Sequence, residues 1–277
     1  MSIASESAER LKRIASLVEF PTIKCVAVPS ASTNPCQDAE FGFVVLQDGS
    51  AGAFYVWLDD TQKVLGGDDF RELEGLAPAK LLAGVSHERL ERRALALGVM
   101  NAMSQSIFTR ARLELPGAAS MGGMTFSTAD RVGMVGLFPS LTRRLQAGRI
   151  AFVVIEKRAE LIDVAHPFEV TNDVTRLAEC NKILITGSTL LNESLAATLQ
   201  HCVDAQTVAV IGPSASCLPD VAFSHGVHRF GGARIRNLDT LLERRRNGLP
   251  WGDSVQKYLL DARTYPGIAP LCTALAS

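Results

Sequence analysis

Hydrophobic and polar positions change rhythm twice along this chain. Over residues 1–20, MSIASESAERLKRIASLVEF, apolar residues recur at helical spacing between charged ones, which predicts an amphipathic first helix. Three strand-like runs follow, TIKCVAV (22–28), FGFVVLQ (41–47) and AGAFYVWL (51–58). They are parted by the polar PSASTNPCQDAE and by DGS, and read as a small antiparallel sheet. Segments 67–84 and 86–110 then carry apolar residues three and four apart and predict helices, the second with Ser86 as N-cap and Glu88 in its first turn. The glycine-rich LPGAASMGGMTF (115–126) has little periodicity and reads as a boundary. From Arg131 the grammar alternates: RVGMVG, IAFVVIE, KILITG and TVAVIG are short apolar runs, each followed by a loop and a helical pattern. That is the signature of a parallel sheet with crossover helices. The expected architecture is α/β, with a small α+β domain over residues 1–115 and a doubly wound domain over 116–277.

Each run of the second part ends in small or polar residues: Gly133 and Gly136 before Pro139, then Glu156, then Thr186 to Thr189, then Gly212-Pro213-Ser214. In an open parallel sheet the carboxyl ends of the strands border the crevice where ligands bind. TGSTL and GPSAS stand at expected helix amino ends, so backbone N–H groups and the hydroxyls of Thr186, Ser188, Thr189 and Ser214 suit an anionic or carbonyl-bearing ligand. Gly187 would let that ligand approach the backbone. Ser188 or Thr189 serves equally as a plain N-cap, and Glu193 as a first-turn carboxylate.

Glu156 closes an otherwise apolar strand, where a carboxylate needs solvent, a donor or a ligand. It is expected to matter to ligand handling more than to folding. It follows Gly136 by 20 residues, near where a ribose-binding acid would sit. The glycine spacing is GxxG followed by Pro139 and not GxGxxG, so a dinucleotide is not the expected cofactor. Asn101, amid Leu97, Met100 and Met103, is either hydrogen-bonded in the core or aimed into a cleft.

Composition narrows the partners. The 277 residues are 47% hydrophobic with a net charge of −1, and basic and acidic residues are interspersed, which gives no footprint for nucleic acid or a membrane surface. Arg244-Arg245-Arg246 suits the carboxyl end of a helix. No window approaches the roughly 20 apolar residues of a membrane span, and the first residues lack a signal-peptide core. Cys25, Cys36, Cys180, Cys202, Cys217 and Cys272 have neither CxxC nor framework spacing, so reduced thiols in a cytoplasmic protein are expected. His225 and His228, His201-Cys202 and Cys217 lack the spacing of a closed zinc site, HExxH and GxSxG are absent, and the metal stays unassigned. A homo-oligomer is left open.

Read together, VGMVGLFPSL, VVIEKR, ILITGSTLLNESL, VAVIGPSASCLPDVAFSHGV and FGGARIRNLDTLL resemble the carboxyl-terminal domain of the heavy-metal chelation family, over about residues 131–248. The preceding LALGVMNAM resembles the helix that closes that family's smaller domain. The resemblance implies a smaller domain similar to the amino-terminal domain of enolase, a Rossmann-like second domain, and a site between them. It implies site roles for Asn101, Glu156, Thr186, Gly187, Thr189, Asn192, Gly212, Pro213 and Ser214. This chain departs with Ser188 where the family usually has Thr, Glu193-Ser194 where Gly-Thr is common, and Asn237 where Asp is common. The functional expectation is a small-molecule-binding protein that holds an anionic ligand or metal chelate between its domains, linked to heavy-metal or metallophore handling. The alternative is a transferase or lyase that makes or processes a small chelator, with Glu156 as the catalytic acid or base.

Overall fold

The computed structural model describes residues 1–29, 40–118, 121–247 and 249–276. Its first part comprises α1 (Ile3–Ala15), β1 (Ile23–Ala27), β2 (Phe41–Leu46), β3 (Ala51–Tyr55), α2 (Thr61–Gly66) and α3 (Leu90–Arg110). The strands form an antiparallel sheet in the order β1-β2-β3. Ser2 caps α1 by accepting the Ser5 N–H, and Ile3, Ala8, Leu11 and Ile14 form its buried stripe.

Two helix expectations are corrected. Residues 67–84 do not form one helix, because Gly75 takes a left-handed φ of 78° and Pro78 has no N–H to donate. The segment instead coils into two 3-10 stretches, Phe70–Leu73 and Pro78–Ser86. Ser86 ends the second stretch, and its hydroxyl meets that of Ser5 at 2.8 Å, so it does not cap the long helix. That helix starts at Leu90, with Arg89 at the cap position.

The second part comprises β4 (Arg131–Val135), α4 (Pro139–Ala147), β5 (Ala151–Ile155), α5 (Ala159–Ile162), β6 (Glu169–Thr171), β7 (Lys182–Thr186), α6 (Ser188–Leu191), α7 (Leu195–Leu199), β8 (Thr207–Ile211), α8 (Asp220–Ser224), β9 (Arg229–Ile235), α9 (Leu238–Arg246), β10 (Val255–Asp261) and α10 (Ile268–Ala276). The sheet order is β10-β9-β8-β7-β4-β5-β6. Strands β4 to β9 run parallel in the order of a Rossmann fold, and β10 is antiparallel to β9. Alternate residues of each run face opposite layers: Ile183, Ile185, Val208 and Val210 lie in one buried cluster, and Met134, Val154, Leu184 and Ala209 in another. The segment after α3 lies against β10, where Leu259 N–H donates to the Pro116 carbonyl at 3.1 Å and Ala118 N–H to the Lys257 carbonyl at 3.0 Å.

Helix α3 ties the two parts together. Every residue from Ala94 to Phe108 is buried. On one side β3 lies directly on the helix backbone, since a β-carbon at Gly52 would run into the Gly98 carbonyl and the Ala102 nitrogen. On the other side Phe108 meets Tyr258 of β10 edge-on at 6.4 Å. The far face of the small sheet packs on α9 and its neighbours: Phe41 and Phe43 sit 5.4 and 5.3 Å from the Trp251 ring, and the Arg245 guanidinium stands over Phe43 at 5.2 Å. Each such aromatic burial is worth about 1.5–3 kcal/mol. One hydrophobic cluster runs from α1 through α3 to the parallel sheet.

The amino edge of the parallel sheet is stapled by Asp130. This buried carboxylate accepts from Lys182 Nζ at 2.9 Å, Asn181 Nδ2 at 2.9 Å, Ser127 N–H at 2.7 Å and the Ser127 hydroxyl at 3.0 Å. The Lys182 ammonium foremost, and the other donors with it, hold the carboxyl well below the usual range despite burial. A depressed native pKa adds stability above the unfolded value near 4 and loses it as pH falls through the native value. Asp130→Asn is expected to lose about 1–3 kcal/mol at pH 7 in urea unfolding. The gap to the wild-type protein should narrow below about pH 4, and a gap that is constant with pH would show that the charge is not what stabilises the edge.

Candidate functional site

A parallel sheet of this order reverses its winding between β4 and β7, and the carboxyl ends of the strands at such a reversal are where ligands bind in open sheets of this class. The chain leaves β4 at Gly136, whose φ of 88° suits glycine, and its N–H donates to the Ile155 carbonyl at 2.8 Å. A β-carbon on Gly136 would stand 3.0 Å from Thr186 Cγ2, so the first turn packs directly on the end of β7.

Glu156 lies just beyond β5 and is 7% exposed. Its Oε2 accepts Leu137 N–H at 3.2 Å, and its Oε1 accepts Lys157 N–H at 2.8 Å and Arg158 N–H at 3.2 Å. The Arg158 Nε stands 3.7 Å from Oε1. The carboxylate therefore braces the β4–α4 turn against its own loop, a structural task that the strand pattern did not reveal. It occupies the position of a ribose-binding acid with both oxygens already engaged.

The Thr186 hydroxyl accepts Ser188 N–H at 3.3 Å and lies 3.1 Å from Ser188 Oγ, while Thr189 Oγ1 donates to the Thr186 carbonyl at 2.7 Å. These bonds close the turn into α6. Asn192 ends that helix, and its Oδ1 accepts the N–H and hydroxyl of Ser194 at 3.1 and 2.6 Å. Between them Glu193 takes a φ of 58°, a left-handed conformation that suits glycine, and pairs with Arg93 at 3.1 Å. The departure at Asn237 is chemically mild, since its Oδ1 caps α9 by accepting Thr240 N–H at 2.9 Å, as Asp would.

Gly187 carries the row to β8. Its N–H donates to the Ile211 carbonyl, and a β-carbon there would stand 2.8 Å from Ala215 N. No helix starts at GPSAS, since α8 begins only at Asp220; Gly212, at φ 126°, instead turns the chain through Pro213 into Ser214, where it meets α3. Asn101 Nδ2 donates to the Ala53 carbonyl at 2.7 Å and to the Ser214 carbonyl at 3.0 Å, so Asn101 is hydrogen-bonded in the core, fully buried, and joins the first part to the strand-end loop. One turn on, Gln105 Nε2 donates to the Ser216 carbonyl and to Tyr258 Oη, each at 2.9 Å, and Ser104 Oγ accepts Leu218 N–H at 3.0 Å. Asn101 Oδ1, Gln105 Oε1 and Ser214 Oγ are buried without a hydrogen-bond partner among the described residues.

The edge thus forms one contiguous row: Glu156, Gly136, Thr186, Gly187, Ser214 and Asn101. Gly133 is not in it. It lies inside β4, where a β-carbon would stand 2.6 Å from Leu177 Cδ2, so its smallness serves packing. Ser104, Gln105, Ser216 and Tyr258 were not anticipated. The first two repeat the Asn101 face of α3 at i+3 and i+4, a polar stripe on an apolar helix that the sequence does display.

The donor chemistry of the site is hydroxyl, amide, carboxylate and guanidinium. Among the described residues no three His, Cys, Asp or Glu side chains gather closely enough to hold a metal ion. His225 pairs with Glu6 at 3.2 Å, and His228 Nδ1 accepts Val208 N–H at 3.1 Å. Burial pushes the Cys202 and Cys217 thiols up to about 12. Cys25, Cys180, Cys202, Cys217 and Cys272 are free thiols, and Cys36 lies outside the described residues. No helix among the described residues is long and apolar enough to cross a membrane.

The sequence model of the family described as "Putative heavy-metal chelation" matches residues 120–259. Two solved structures of that family share the fold. A protein of unknown function from Pyrococcus horikoshii is 14% identical at a TM-score of 0.72, with 94% of this chain and 99% of its own covered. A protein of unknown function from Desulfitobacterium hafniense is 16% identical at a TM-score of 0.64, with 92% and 98% covered. No curated protein matches the chain.

The brace at Glu156 separates stability from surface charge. Glu156→Gln sets an amide N–H against the Leu137 N–H and is expected to lose about 1–3 kcal/mol in urea unfolding. Arg158→Gln leaves the three amide bonds intact and should lose less than about 1 kcal/mol. Equal losses in the two variants would assign the stabilisation to the ion pair.

Proposed function

This chain belongs to the heavy-metal chelation family, and from that membership and the geometry of the strand-end row we propose that it binds a small anionic ligand or metal chelate at the carboxyl edge of its parallel sheet. The observation that carries the reading is the junction of Asn101 with Ser214. Two buried polar atoms there, Asn101 Oδ1 and Ser214 Oγ, lack partners at the point where the two parts of the chain meet beside Gly187. Buried polar atoms in native proteins are almost always satisfied, so a bound water or a ligand group is needed there. The neighbouring glycines let the strand-end loops close on one another around these atoms, Gly187 against Ala215 and Gly136 against Thr186.

A metal handled by such a site would arrive as cargo already wrapped in its own ligands, because the row offers too few soft or anionic donors to strip it. The commitment of both Glu156 oxygens to amide donors supports an anchoring role over proton transfer, which favours a binder over a transferase or lyase. The free thiols suit the reducing cytoplasm in which we place this activity.

A mass-spectrometric inventory of metals and small molecules retained by the purified protein tests the reading. We expect a stoichiometric small anion or intact chelate, lost from Gly136→Ala, where the added methyl meets Thr186. Tight stoichiometric binding of bare zinc or copper ions, with no retained organic molecule, would overturn it.

A further inference from the structure

The polar face of α3 is unbalanced in one direction, and the imbalance bears on what the strand-end row can hold. Asn101 Nδ2 faces the carbonyls of Ala53 and Ser214, and Gln105 Nε2 faces the carbonyl of Ser216 and the Tyr258 hydroxyl. Carbonyls only accept, so turning either amide over would set oxygen against oxygen, and both orientations are fixed by their partners. The amide oxygens Asn101 Oδ1 and Gln105 Oε1 are therefore surplus acceptors. They belong to side chains 0% and 2% exposed and have no partner among the described residues.

The wall around them has little to give. Ser104 Oγ donates to the Met100 carbonyl at 2.8 Å, Ser216 Oγ to the Pro213 carbonyl at 2.7 Å and Tyr258 Oη to the Ser216 carbonyl at 3.2 Å, so their hydrogens are spent. Only Ser214 Oγ keeps one, and one hydrogen serves at most one of the two oxygens.

An ionised carboxylate placed here would add another acceptor, so the anionic part of a ligand does not belong at this wall. An ammonium group fits poorly as well, because the wall is made of amides, hydroxyls and carbonyls, with no carboxylate to offset a buried charge. A neutral O–H group meets both conditions. The adjoining loop has room for one: a β-carbon built on Gly212, two residues before Ser214, would find only Gly187 N within 4 Å, at 3.7 Å.

We infer that the ligand meets this wall through a hydroxyl group, which donates to Asn101 Oδ1 and accepts from Ser214 Oγ, so that the class of ligand is a hydroxycarboxylate and not a bare polyanion. Gln105 Oε1, one turn along α3, is left to a water. This inference rests on the proposed binding role of the strand-end row and narrows it. A resident water at Asn101 would supply the same hydrogens, and the ligand's hydroxyl would then add nothing to affinity.

The test is calorimetric titration of the full-length protein with two pairs that differ by one hydroxyl, citrate with tricarballylate and malate with succinate, each to about 10 mM. The expected result is saturable binding of the hydroxylated member of at least one pair, about ten-fold or more tighter than its deoxy partner, as for a hydrogen bond to a buried acceptor. In Ser214→Ala, whose lost hydroxyl bonds nothing else among the described residues, the ratio should fall to about three-fold or less while the deoxy member binds as before. Circular dichroism checks that the variant folds, and the wild-type ratio is decisive without it. A wild-type ratio that persists in folded Ser214→Ala would place the hydroxyl elsewhere and overturn the inference. Equal affinity within both pairs would overturn it in favour of a resident water and leave the anionic reading standing. Binding of none of the four would overturn the hydroxycarboxylate assignment, and the inventory of retained molecules would then judge the anionic reading by itself.

Discussion

Burying a helix on every side obliges its polar side chains to find partners in whatever covers it, and α3 meets that obligation through the loop that leaves β8. Asn101, Ser104 and Gln105 lie on one face and grip successive backbone groups at Ser214, Leu218 and Ser216. The loop therefore cannot take another path without leaving buried amides unsatisfied, at about 1–3 kcal/mol each. Its position in turn fixes Gly187 and, through β7, the turn at Gly136. The geometry of the strand-end row in the second part is dictated by a helix of the first.

That dependence explains which parts of the molecule the sequence made legible. The strands β1 to β5, β7 and β8 were visible because each is a compact apolar run with a polar boundary, and the parallel alternation followed. β10 was hidden because Gln256 and Lys257 interrupt its pattern, which a strand at the rim of a sheet tolerates. The 3-10 segment before α3 shares the three- and four-residue spacing of a helix, and only Gly75 and Pro78 tell against it. Asn101, Glu156, Thr186, Gly187 and Ser214 could be singled out by type and strand-end position. Their partners could not, since Tyr258 and Ser216 acquire their roles from contacts more than a hundred residues away from α3. Arg158 was visible only as a neighbour of Glu156.

The charge arrangement along the sheet is polar in the literal sense. At the amino edge Asp130 is surrounded by Lys182, Asn181 and Ser127, a closed cluster whose donors and acceptors are matched. At the carboxyl edge Glu156 is matched, but Arg158, Ser214 and Asn101 retain capacity. One edge is finished by the chain's own side chains, whereas the other keeps buried polar atoms without a partner among the described residues. The proposed binding role draws on this asymmetry more than on the identity of any one residue.

The strip of chain after α3 that pairs with β10 has a consequence for how the molecule behaves in a crowded solution. A seven-stranded sheet ends in two open rims, and an open rim of unpaired amides is a template on which another chain can add a strand and begin to aggregate. Here the rim at β6 is only three residues long and carries Glu169, a poor template. The longer rim at β10 is occupied by residues 116–118 of the same chain. The connection between the two halves thus doubles as a guard strand, and a protease cut within it would bare an adhesive edge as well as loosen the halves.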